Sequence, residues 1–170
     1  MDQVNYPFTG KVAFVTGAAT GIGRATAIEF AKNGASVAVV DVNEDSAGFT
    51  ANKIKELGQK SLFIKCDVSK SAEVKMAIDK TVATFGRIDF AFNNAGIEGA
   101  QAVTPDTSEE NWDRVINVNL KGVWLCMKYQ IPVMLKQKGG GPPAARLGDS
   151  SKVQIGQTAI AIGTALGRPP

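Results

Sequence analysis

Val12-Ala13-Phe14-Val15-Thr16-Gly17-Ala18-Ala19-Thr20-Gly21-Ile22-Gly23 decides the fold. An apolar run passes straight into glycines spaced G-x-x-x-G-x-G, and helix-forming residues follow. A strand that turns on glycines into a helix brings backbone N–H groups and the positive end of the helix to one spot. The glycines also let the backbone approach a pyrophosphate closely. A purely structural tight turn would use the same glycines. Their place between a first strand and a first helix is what gives the binding reading its weight.

Outward from this stretch the apolar run recurs. Val12–Val15, Val37–Val40, Leu62–Ile64 and Ile88–Phe92 start 25, 25 and 26 residues apart. Each is largely continuous, the mark of a strand buried on both faces. Segments of helical period lie between them: Ile22, Ala25 and Ile28; then Ala47, Ala51, Ile54 and Leu57; then Val74, Ile78, Val82 and Phe85. Gly34, Gly58 and Gly86 follow as left-handed helix stops. This alternation predicts an α/β fold of Rossmann type: a doubly wound parallel sheet of about four strands, with right-handed crossovers and helices on both faces. A further helix is expected to start near Thr107, with Thr107 and Glu110 as a capping box just after Pro105. Its stripe is Trp112, Ile116, Asn119 and Val123, with Val115 alongside, and Pro132 should kink or end it.

The 170 residues suit one domain with a core. Net charge is +3, acids and bases are interspersed, and no basic stripe carries interleaved aromatics, so no nucleic-acid partner is expected. The chain has no histidine, which removes the commonest metal ligand and any Ser-His or Cys-His nucleophile. Cys66 and Cys126 sit in apolar stretches without a C-x-x-C pattern and read as buried thiols. Met1 to Phe8 lacks a basic n-region and an apolar h-region, and no apolar run has the length of a membrane span. The expectation is a soluble cytoplasmic protein with no metal and no membrane partner.

Asp41 ends the second strand, 18 residues after Gly23. An acid there accepts hydrogen bonds from adenosine ribose hydroxyls and repels a 2′-phosphate, which favours NAD over NADP. Neither Thr20 nor Val42 is basic. Only Arg24, just past the glycines, speaks for a 2′-phosphate. The alternative role for Asp41 is a capping acid at the start of a loop.

Thr16-Gly17-x-x-x-Gly21-Ile22-Gly23, Asp67-Val68, Asn93-Asn94-Ala95-Gly96 and Val118-Asn119-Leu120, in this order and spacing, resemble the signatures of the short-chain dehydrogenase/reductase family. The resemblance covers residues 8–138. It implies that Gly17, Thr20, Gly21, Ile22 and Gly23 surround the cofactor's pyrophosphate, with Ile22 also beside the nicotinamide. It places the Asp67 side chain and the Val68 backbone on the adenine. It places Asn94, Ala95 and Gly96 along the nicotinamide ribose. Asn119 would hold a water in the catalytic proton relay. From the residues alone, the alternative for Asp67 is a turn acid at the end of a strand. Asn119, an amide on an apolar stripe, needs a buried partner, which a neighbouring backbone would equally supply.

The resemblance further implies hydride transfer between the nicotinamide of NAD and a carbon bearing an alcohol or ketone. A serine polarises the substrate oxygen, a tyrosine exchanges the proton, and a lysine four residues later lowers the tyrosine's pKa from roughly 10. Four residues after Tyr6 and Tyr129 stand Gly10 and Val133, so the sequence holds no Tyr-x-x-x-Lys. From Gly139 to Pro170 it holds 7 glycines, 4 prolines and no aromatic residue. Gly139-Gly140-Gly141 runs into Pro142-Pro143, which cannot continue as a central strand. The chain therefore divides into an NAD-binding half, 8–138, and a Gly/Pro-rich tail, 139–170, unlike the family. Ala159–Ile162 is the tail's best strand candidate, and Ser150, Ser151 and Lys152 receive no role. A frameshift, a splice variant or a truncated gene model would each produce such a break. The expectation is a chain inactive by itself. The alternative is a non-catalytic NAD-binding or subunit-interaction module. The helix bearing Asn119 would pack in a homo-oligomer, and the free edge of the fourth strand would favour aggregation. The substrate is set in the family by C-terminal loops that this chain does not contain.

Overall fold

Runs of valine, alanine and phenylalanine become strands here because both faces of the sheet are covered. The computed structural model describes residues 7–137; Tyr6 and the tail 139–170, with Ser150, Ser151, Lys152 and Ala159–Ile162, lie outside them. The elements are β1 Val12–Thr16, α1 Gly21–Lys32, β2 Ser36–Asp41, α2 Glu44–Glu56, β3 Ser61–Lys65, α3 Ser71–Phe85 and β4 Phe90–Asn93. A 3₁₀ turn at Thr104–Asp106 precedes α4 Glu109–Ile116, a π turn Asn117–Lys121 and α5 Gly122–Lys136. The strands form one sheet in the order β3-β2-β1-β4, every pair parallel.

Alternate strand residues feed two cores. Ala13, Val15, Val37 and Val39 meet Ala27 and Ala31 of α1 and Ala47, Ala51 and Ile54 of α2. Phe14, Ala38, Val40 and Ile64 meet Val74 and Ile78 of α3 and Leu125, Cys126 and Met134 of α5. The central strands β1 and β2 are buried throughout or nearly so, whereas edge strands β3 and β4 are only partly covered. Continuous apolarity therefore marks full burial only in the middle of the sheet. Gly34, Gly58 and Gly86 all have φ between 81° and 96°, the left-handed stops expected after α1, α2 and α3.

Three local expectations need correction. The buried face of α1 is Gly23, Ala27 and Ala31, not Ile22, Ala25 and Ile28; Ile22 is 69% exposed. A helix packed tightly on a sheet buries its smallest residues, so hydrophobic spacing pointed to the wrong face. The cap of α4 is Ser108, whose side chain accepts from the Asn111 N–H, and Thr107 lies outside the helix. Trp112 is exposed, and the long helical stretch buries Gly122, Leu125, Cys126, Gln130 and Met134 instead. The π turn inserts about one extra residue, so steps of three and four lose phase across it. Pro132 lies inside α5, which continues to Lys136.

Candidate functional site

In a parallel sheet every strand points its C-terminal end at the same edge. The connection from β1 goes one way to β2 while β4 lies on β1's other side, and a crevice opens where the order reverses. A cleft of about 600 Å³ lies there. Its walls come from the residues that follow β1, β2, β3 and β4.

The glycine loop forms its floor. Gly17 and Gly21 have φ of 64° and 51°, a region costly for side-chain-bearing residues. A Cβ on Gly23 would lie 2.0 Å from the Gly17 carbonyl oxygen, so no other residue fits. A Cβ on Gly17 would lie 2.9 Å from the Ala95 Cα, so the loop and the end of β4 are in backbone contact. Thr20 is the N-cap of α1 but makes no side-chain capping bond. The first-turn N–H groups of α1 are thus left to a ligand, which suits an anion.

Thr16 ties the tips of β1 and β4 together. It is 1% exposed, and its Oγ1 accepts from the N–H groups of Asn94 and Ala95 at 2.9 and 3.0 Å. Asn94 in turn donates from Nδ2 to the Thr16 carbonyl at 3.2 Å. Next to it, Asn93 and Gln130 of α5 form a reciprocal amide pair at 3.0 and 2.9 Å. Neither the Thr16 nor the Gln130 contact was read from the sequence, because both are side-chain partnerships across long separations.

Two acids stand on the opposite wall. Asp41 Oδ2 accepts from the Ala19 N–H at 2.9 Å, and its Oδ1 accepts from the Asn43 N–H at 2.9 Å. Asp67 Oδ1 accepts from both the N–H and the hydroxyl of Ser69, at 2.9 and 2.7 Å. The Asp67 N–H donates to Glu73 Oε2 at 2.8 Å. Both acids do the turn work that was their alternative reading, and both also line the cleft. Glu98, unnoticed in the sequence, adds a third carboxylate, and no lysine or arginine is among the lining residues.

Thr20, Gly21 and Ile22 line the cleft with Gly17, as do Val68, Asn94, Ala95 and Gly96. Gly23 sits beneath the loop and does not line it. Asn119 also stands back. Its Oδ1 accepts from the Ile97 N–H at 2.9 Å, and its Nδ2 donates to the Ile97 carbonyl at 3.0 Å. The partner of this half-buried amide is therefore a neighbouring backbone, and Ile97 itself faces the cleft. Asn119 lies within the π turn, a helix irregularity that recurs at functional sites.

Cys66 and Cys126 are free and buried on the same side of the sheet. Burial pushes both thiols up to about 12, with neighbouring Cys126, Glu73 and Asp67 adding to the effect on Cys66. They are inert as nucleophiles. Among the described residues no group of His, Cys, Asp or Glu could hold a metal, and no helix is long and apolar enough to cross a membrane.

The model of the short chain dehydrogenase family matches residues 11–141. The chain is 40% identical over 141 residues to a short chain dehydrogenase/reductase of Aspergillus oryzae, covering 82% of this chain and 54% of that protein. It is 42% identical over 133 residues to the cyclohexanol dehydrogenase of an Acinetobacter species, covering 78% and 53%. The crystal structure of NAD+-bound xylitol dehydrogenase superposes with a TM-score of 0.74 at 36% identity, over 76% of this chain and 50% of that one. The chain spans about half the length of the curated relatives it matches.

Proposed function

The chain belongs to the short chain dehydrogenase family, and we propose that residues 8–138 are its nicotinamide-dinucleotide half, with NAD favoured over NADP. The observation that carries this reading is the cleft. Ten of the eleven residues expected to bind cofactor line it, and the eleventh, Gly23, permits the loop's shape. The residues fit such a ligand: open amides at the start of α1 for the pyrophosphate, Asp41 for the adenosine ribose, Asp67 and Val68 for the adenine. Asn94, Ala95 and Gly96 border the nicotinamide ribose, and Asn119 fixes Ile97 behind them, where a relative with the tyrosine and lysine would place its proton relay. Three lining carboxylates and no lining cation disfavour a 2′-phosphate.

Bound there, a nicotinamide ring would supply the hydride acceptor or donor for an alcohol or ketone carbon. The 170 residues hold no Tyr-x-x-x-Lys to exchange the accompanying proton. The function proposed for the chain by itself is therefore binding without turnover, in a reducing cytoplasm where Cys66 and Cys126 stay thiols. The exposed apolar side chains Leu120 of the π turn and Trp124, Ile131 and Leu135 of α5 support subunit packing along this stretch.

The test is a fluorescence titration of the purified chain with NADH and, in parallel, NADPH. Saturable NADH binding at least about tenfold tighter than NADPH is expected, a difference of ~1.4 kcal/mol. Gly23→Ala should abolish it, because the added methyl overlaps the Gly17 carbonyl. No saturable NADH signal, or NADPH bound as tightly, would refute the reading.

A further inference from the structure

Arg24 was the one residue that spoke for a 2′-phosphate, and the structure commits it elsewhere. Its Nε donates to Thr50 Oγ1 of α2 at 3.2 Å, and its Nη2 donates to the carbonyl of Ala19. Its guanidinium lies 5.1 Å from the centre of the Phe49 ring, within reach of a cation–π attraction. Thr50 is fully buried and its hydroxyl also donates to the Ser46 carbonyl at 3.2 Å, so that anchor is rigid. Ala19, 2% exposed, is thus gripped from two sides. The cation Arg24 takes its carbonyl, and the anion Asp41 takes its N–H.

We propose that Arg24 is a positioning residue for Asp41, acting through Ala19. The inference rests on the reading of the cleft as an NAD site. The guanidinium pins the glycine loop to α2. The pinned Ala19 N–H then fixes Asp41 Oδ2, while the Asn43 N–H fixes Oδ1. The carboxylate's remaining lone pairs are held in place for two ribose hydroxyls before any ligand arrives. A lysine cannot replace this, because one ammonium cannot span Thr50 and Ala19 and lie flat on a ring at once.

The experiment is a double-mutant cycle in the full chain: Arg24→Met, Asp41→Ala and both together, with NADH dissociation constants from fluorescence and thermal melts as the folding check. Coupling through Asp41 predicts that Arg24→Met weakens NADH about tenfold when Asp41 is present and less than about twofold when it is gone. An equal loss in both backgrounds shows a merely structural arginine and overturns the proposal. If Arg24→Met does not fold, Phe49→Leu at its half-exposed site removes the ring beneath the guanidinium and enters the same cycle. A coupled loss of about threefold is then expected, and an uncoupled one overturns the proposal equally. If the unsubstituted chain binds no NADH, the reading of the cleft falls and takes this inference with it.

Discussion

The two faces of the sheet are built from different materials. On the α1–α2 face the helices contribute mainly alanine: Ala27, Ala31, Ala47 and Ala51, with Ile54, are buried against Ala13, Val15, Val37 and Val39. On the α3–α5 face the contacts are large: Phe14, Ile64, Ile78, Ile88, Leu125 and Met134. Small contacts let a helix approach closely. That closeness puts Gly23 against the Gly17 carbonyl and aims the start of α1 into the cleft. Large contacts hold a helix farther off but remove more apolar surface from water. The expectation that follows is that one face sets the geometry of the cleft and the other supplies more of the stability.

The comparison breaks most visibly if the large face is hollowed. Ile78→Ala should cost about 2–5 kcal/mol, read as a lower urea midpoint, because a 1% exposed side chain leaves a cavity on α3. NADH affinity measured well below that midpoint should hardly move. Enlarging the small face should do the reverse. Ala27→Leu forces α1 off the sheet, costs about 1–3 kcal/mol and also weakens NADH, because the glycine loop moves with the helix. If both variants lose stability alone and leave NADH untouched, the division of labour between the faces is wrong.

A third prediction sharpens the contrast through pH. Both cysteines lie on the large face, and burial pushes each thiol from 9.0 to about 12. The folded protein therefore keeps these protons at a pH where the unfolded chain releases them. Their contribution is whole below about pH 9 and is lost as pH rises toward 12, by ~1.4 kcal/mol per pH unit for each thiol. Denaturant melts between pH 8 and 10 should show stability falling. Cys66→Ala with Cys126→Ala should flatten the decline.

What the sequence disclosed follows the same division. All four strands were legible to within about two residues because each is apolar over most of its length, although only β1 and β2 are buried nearly end to end. The residues that line the cleft were legible because most sit at or just past a strand end, where a short local motif carries the shape. The packing of α1 was not, since an interface of glycine and alanine has no hydrophobic signature. The phase of α4 and α5 was lost at the π turn, where one extra residue resets every later position. The contacts made by Thr16, Arg24 and Gln130 stayed hidden because their partners are distant in the chain or are backbone atoms.

The side-chain amides of α5 and its flanks have a kinetic consequence. Asn119 holds both the N–H and the carbonyl of Ile97, Gln137 holds both of Ile88, and Gln130 holds Asn93 between them. Two backbone amide protons beside β4 are thus sealed by helix-borne side chains rather than by a neighbouring strand. Their exchange with deuterium would time the lifting of that helix, independently of whether the sheet itself has opened.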